Sequence, residues 1–565
     1  MTPWIQAYDP LGSPWLSTAA AALPIVLLLV ALAVLEWRAH AAAFAGLVSA
    51  LAIATIVYGM PPRAAAATAI YGAGYGFLPI GWIVLNAVFL YELTVATGQF
   101  HVLRRSVGQL SKDRRVQALL VAFSFGAFIE GACGFGAPIA ICSALLIGLG
   151  FTPLHAAGLS LIANTAPVAF GAIGIPILTL ASVTAIPAPT LGMMAGRQLP
   201  FVSMIIPIWL VATLSGWRGL RGVWPAVLVC GGTFGIVQFL WSNFVGVELV
   251  DIAGGVASIG ALALLCRVWQ PREIWTFEGN APHAVASSVS EPAFDRRAVR
   301  RAWMPWLFLS IAVIVWGITP VKAALTASPM LAPRWNVPYL HRLVFRDYPV
   351  VAQKIDPAQI GDAAYRNAHA EPAVYTFNWL SATGTGVLLA ALATALYFRV
   401  SLAQLLAVAA ATMRRMRVPL TTIMLMLSLG FVTRYGGTDA TLGLAFTKTG
   451  VLYPFFAAFL GWLGVALTGS DTSSNVLFGS LQKITAQQLG FNPVLIVTAN
   501  STGGVMGKMI DAQSIVVSTA ATGQVGQEGR ILRFVFWHSV ALATIMGIIV
   551  VLQAYVFPWM IPHEP

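Results

Sequence analysis

Twice in this chain an asparagine stands beside a hydroxyl residue, with a lone acid upstream, inside otherwise apolar sequence. Residues 161–171 read LIANTAPVAFG and residues 497–507 read VTANSTGGVMG. A Gly-rich turn precedes each copy, EGACGFGAP with Glu130 and TGSDTSSN with Asp471. Amides, hydroxyls and free backbone N–H groups donate hydrogen bonds without carrying fixed charge. Asn164, Thr165, Ser470, Thr472, Ser473, Asn475, Asn500, Ser501 and Thr502, with the backbone at Gly134 and Gly136, therefore suit a small carboxylate. Glu130 and Asp471 occupy matching turns, where a carboxyl group in a water-poor cavity can carry a proton. An anion travelling with a proton is neutral overall, which removes most of the electrostatic cost of crossing a membrane. Two plainer readings stand beside this one. Asp471 followed by Thr-Ser-Ser is a good helix cap, and Ser, Thr and Gly let helices pack closely. Lys508, just after the second motif, either pairs with Asp511 at helical spacing or meets the substrate carboxylate.

Such polar groups need elements that hold them at membrane depth. Of the 565 residues, 58% are hydrophobic and 9% charged, against roughly one-quarter charged in soluble domains. Mean hydropathy is +0.80. Stretches such as 16–36, 223–243 and 534–557 reach membrane-spanning length. The net charge of +12 is assigned to loops that set orientation rather than to nucleic-acid binding. The N-terminal MTPWIQAYDP lacks the basic region of a cleavable signal. Cys133, Cys142, Cys230 and Cys266 form no CxxC pair, so neither a disulfide framework nor a metal site is expected, and no cofactor.

Basic clusters at 104–115, 218–221, 267–301 and 399–417 are placed on the cytoplasmic side. That assignment is self-consistent only if block 116–150 is a re-entrant hairpin tipped by residues 130–138. Block 451–490 is read likewise, tipped by 469–475 and entering from the opposite side. Each hairpin is followed by an over-long apolar block, 153–184 and 492–522, interrupted by Pro and Gly and read as a broken helix. The expected fold is an all-α polytopic membrane protein with about twelve transmembrane helices plus two re-entrant hairpins, in two inverted-topology repeats. Residues 16–216 form the first half, 217–376 connecting spans and loops, and 377–565 the second half, within a single transporter domain. Arg197 and Arg434 are read as snorkelling at membrane edges. His155 and His538 are read as hydrogen-bonded structural residues rather than proton relays.

The segments FGAFIEGACGFGAPIAI, NTAPVAFGAIGIPIL, GRQLPF, GWLGVALTGSDTSSNVLF and NSTGGVMGKMI resemble the bacterial lactate permease family. The resemblance runs from residues 4–12 to LQAYVFPWMIP near the end, and transfers nothing to 273–296 or 326–376. It implies uptake of L-lactate, with D-lactate and glycolate, by proton symport across a bacterial inner membrane. It also implies kinship with a wider ion transporter superfamily, some of whose members couple to Na+. In that superfamily such Asn-Thr motifs hold substrate and coupling ion, which points here to Asn164-Thr165 and Asn500-Ser501-Thr502. The implied partners are a small monocarboxylate, protons and the lipid bilayer, without nucleic acid. From the hairpins and broken helices the expected mechanism is alternating access, with Na+-coupled carboxylate transport and an anion channel as alternatives. An intramembrane enzyme is disfavoured, because the eight histidines are scattered and no HExxH occurs.

Overall fold

The structure is a computed structural model that describes residues 3–33, 35, 37–108, 110–134, 136–277, 295–317, 319–351, 354–524 and 527–562. Phe135 of the first turn, the Cys133, Arg104 and Arg105 side chains, and most of the loop 273–296 lie outside the described residues.

Helices dominate because apolar runs without water must satisfy their backbone internally. Among the described residues nine helices are long and apolar enough to span a bilayer, or ten when the bent pair Pro153–Ala163 and Val168–Thr184 is one span. The sequence expectation of about twelve differs partly by counting. Leu199–Phe244 is one run of 46 residues, about 69 Å at 1.5 Å per residue, with non-helical backbone at Gly216 and Val223. Pro14–Leu28 and Thr383–Tyr397 are apolar but shorter. The chain thus forms a multi-pass membrane protein, with strands among the described residues only in two small pairings. Trp4–Ile5 runs parallel to Val344–Phe345, and Arg334–Asn336 antiparallel to Val374–Thr376. The segment carrying these strands is tied to the helices by charge. Glu371 pairs with Arg346 at 3.1 Å and with Arg434 at 3.2 Å. Burial alone would raise Glu371, but the two guanidiniums overcome it and hold the carboxylate below its ordinary range.

Two helix pairs followed by interrupted helices carry the motifs. In the first, the helix ending at Cys133 turns through Gly134 and Gly136 into Ala137–Gly148. Both glycines have positive φ, 56° and 76°, which side chains rarely adopt. Pro153–Ala163 and Gly171–Thr184 follow. In the second, Tyr453–Thr468 turns at Gly469 into Asp471–Leu489, followed by Pro493–Gly507 and Ala512–Thr522. Tyr453–Thr468 and Pro493–Gly507 touch backbone to backbone. A Cβ on Gly461 would lie 1.8 Å from the Asn500 carbonyl oxygen, one on Gly503 2.1 Å from that of Ala458, and one on Gly507 2.3 Å from that of Trp462. No side chain fits such distances, so small residues set the spacing.

Gly461→Val is expected to abolish recovery of monodisperse protein in size-exclusion chromatography. Gly529→Ala, on a helix where a Cβ meets open space, should behave as wild type. Equal recovery of both would contradict this packing account.

Candidate functional site

The two halves meet reciprocally. From the second half, the Asn475 amide donates to the Pro176 carbonyl at 3.1 Å, reaching the first interrupted helix. From the first half, Gly136 at the first turn faces Val517 on Ala512–Thr522. Lys508 in the second interruption interacts electrostatically with both Glu130 and Asp471. The centre is closed to solvent. Glu130 is 5% exposed, Asp471 3%, Asn164 2% and Asn500 0%.

In the first half, backbone strain and unused hydrogen-bonding capacity coincide. Ala172, Ile173 and Gly174 adopt positive φ of 45°, 62° and 77°. Ile is β-branched, and left-handed backbone costs L-residues roughly 1–2 kcal/mol each. Glu130 packs directly on Gly171, where a Cβ would come within 2.6 Å of its Oε1. Asn164 reaches Glu130 only in a loose side-chain contact, and its Nδ2 and Oδ1 and Glu130 Oε2 are buried without a hydrogen bond of good geometry. Buried polar atoms are nearly always paired, so such a set marks a place for a ligand or water. The neighbouring Thr165 hydroxyl donates to the Ile162 carbonyl.

In the second half the same residue types are largely saturated. Asn500 donates to Asn475 Oδ1 at 2.9 Å and to Ser474 Oγ at 3.4 Å, and accepts from Gln482 Nε2 at 2.9 Å. Ser501 donates to Asp471 Oδ2, and Thr502 donates to Gln198 Oε1 at 2.7 Å. Lys508 donates to the Gly469 carbonyl at 2.7 Å and pairs with Asp511 at 3.3 Å. Ser470, not Asp471, caps the helix by accepting from the Ser473 N–H at 3.3 Å, which removes the capping reading of Asp471. Asp471 instead accepts from Ser501 and from Asn475, and its Oδ1 has no partner. Thr472 and Ser473 are half-buried beside the cap.

Other residues take structural places. Arg434 and Arg197 do not snorkel. Arg434 reaches the Val183 carbonyl as well as Glu371, and Arg197 donates to Asn243 Oδ1 and the Met560 carbonyl, each at 2.8 Å. His155 shares a 2.7 Å hydrogen bond with Thr152, and His538 one of 2.9 Å with Trp209. Sequence reading passed over Asp251. It is fully buried at the start of Val250–Val268, and neither carboxylate oxygen has a partner. A Cβ on Gly131 would lie 2.8 Å from its own Cβ, which places it next to the Glu130 turn, and Glu130 interacts with it electrostatically. The available signal was an acid opening an apolar run, VDIAGG.

The contrast between the two asparagines is testable. Asn500→Ala strands Gln482 and Asn475 at about 1–3 kcal/mol per buried group, so a clear fall in Tm is expected. Asn164→Ala removes only the loose contact with Glu130 and should leave Tm near wild type while abolishing substrate binding. Equal Tm losses would refute the contrast.

The sequence pattern of the L-lactate permease family matches residues 17–557. An L-lactate permease of Escherichia coli K12 is 46% identical over 566 residues, covering 100% of both chains. The glycolate permease GlcA of the same organism is 46% identical over 572 residues, covering 99% of this chain and 100% of its own. An L-lactate permease of Bacillus subtilis is 45% identical over 571 residues, covering 99% of this chain and 100% of its own. Among solved structures, the Alcanivorax borkumensis YdaH transporter aligns over 85% of this chain and 86% of its own, with a TM-score of 0.43 and 15% identity. Matched across nearly its full length, this chain belongs to the L-lactate permease family.

Proposed function

We propose that this protein imports L-lactate, and with it glycolate and D-lactate, across the bacterial inner membrane by proton symport. The full-length likeness to L-lactate and glycolate permeases supports the substrate class. The observation that carries the mechanism is the unsatisfied set formed by Glu130 Oε2 and the Asn164 amide in a solvent-closed centre. The substrate's carboxylate and hydroxyl take up the hydrogen-bonding capacity that the Asn164 amide leaves unused, next to the left-handed backbone at 172–174. Glu130 carries the proton, with Asp471 as the second carboxyl group bearing an unpartnered oxygen. Asp251 faces Glu130 across Gly131, so a proton arriving on one carboxyl group is felt by the other.

A closed centre admits substrate only by moving. In the proposed alternating access, the two re-entrant hairpins and two broken helices, related by inverted topology, shift against the remaining helices. The strained left-handed stretch in the first break is where backbone changes shape most readily, since strain there is relieved by motion.

In proteoliposomes, labelled L-lactate is expected to accumulate under an inward proton gradient without Na+. Strict Na+ dependence would overturn proton coupling while leaving carboxylate transport. Purely downhill flux, indifferent to either gradient, would indicate an anion channel. Absence of any lactate flux in folded protein would overturn the substrate assignment.

A further inference from the structure

Away from the transport centre, four guanidiniums gather in one place. Arg297, Arg300 and Arg301, from the short helix Arg296–Ala302, and Arg399, just beyond Thr383–Tyr397, line a cavity of about 490 Å3. Among the described residues no carboxylate lines it, and no ion pair joins these four arginines to an acid. An orientation signal requires only that basic residues lie on one side, in any arrangement. Convergence of four on a shared cavity is an additional feature.

Two details show that the cavity is shaped. Arg301 lies over the Phe398 ring, 5.7 Å from its centroid, which fixes the direction of its guanidinium. Arg399 has φ of +54°. It stands where the helix 383–397 closes with the Arg399 N–H bonded to the Leu396 carbonyl and the Val400 N–H to that of Ala395. Glycine is the ordinary occupant of a left-handed position after a helix. The arginine is therefore kept there at a conformational cost, and its side chain joins the cavity. Tyr397, an exposed aromatic beside exposed Leu396, adds the amphipathic surface typical of a membrane–water boundary.

We propose that this cavity binds the phosphate of an acidic glycerophospholipid headgroup, with the arginines on the phosphate oxygens and Tyr397 and Phe398 against the glycerol and upper acyl region. Guanidinium forks match phosphate geometry, and basic pockets between transmembrane helices hold anionic headgroups. The site is separate from the Glu130–Asn164 centre and does not depend on the transport reading.

Native mass spectrometry of the full-length protein from nanodiscs of phosphatidylcholine mixed with phosphatidylglycerol tests it. Wild type should retain phosphatidylglycerol. Arg300→Ala/Arg301→Ala should weaken retention by roughly five-fold per arginine removed. Arg414→Ala/Arg417→Ala, basic residues elsewhere, should retain lipid as wild type. Arg399→Gly guards against misfolding, since glycine suits the left-handed backbone: Tm should hold or rise while retention falls. Equal retention by wild type and the pocket variants would overturn the proposal. Displacement of the lipid by millimolar inorganic phosphate would also overturn it, by making free phosphate the ligand.

Discussion

The site depends on how closely Tyr453–Thr468 and Pro493–Gly507 approach. With Gly461, Gly503 and Gly507 at the contact, backbone meets backbone. That leaves no room for apolar side chains to separate the two helices from Asp471–Leu489. Polar side chains fill the shared space instead, and in a water-free interior they must pair with one another. Asn500, Asn475, Ser474 and Gln482 do so. From this block Asn475 reaches Pro176 across to the first half. The precision of the centre is thus inherited from three residues that lack side chains.

The two halves resemble one another in residue type and differ in use. The second spends its amides internally, while the first leaves Asn164 and one Glu130 oxygen unmet. A uniformly saturated centre would hold no substrate, and a uniformly unsaturated one would be unstable, since each unpaired buried group costs free energy comparable to a lost hydrogen bond. The second half is thus the saturated one and the first the one with hydrogen-bonding capacity to spare. The left-handed backbone at Ala172 and Ile173 belongs to this unsaturated half, and strain of this kind concentrates at functional sites.

Much of this was legible in the sequence because membranes restrict the options. An Asn, Glu or Asp in an apolar run has few permissible surroundings, so Glu130, Asn164, Asp471 and Asn500 stand out on type alone. Membership in the lactate permease family was equally legible from the motif segments, and the full-length relatives bear it out. What a residue's partners are was not legible. Ser470 and Asp471 both suit a helix cap, and only the three-dimensional turn gives the cap to Ser470 and frees Asp471. Asp251 escaped notice because a single acid at the head of an apolar helix reads as a favourable helix-dipole residue. Its proximity to Glu130 arises from packing between distant segments. The left-handed run at 172–174 has no signal at Ala172 or Ile173, residues that disfavour it, and reflects tertiary override of local preference.

The account's central claim is that Glu130 is the group through which protons drive substrate movement, while the substrate is held elsewhere in the same centre. Counterflow and gradient-driven uptake separate these roles. Reconstituted Glu130→Gln should still exchange external labelled lactate for internal lactate, while losing accumulation under an inward proton gradient. Accumulation at wild-type level by Glu130→Gln, in protein of unchanged Tm, would contradict the claim.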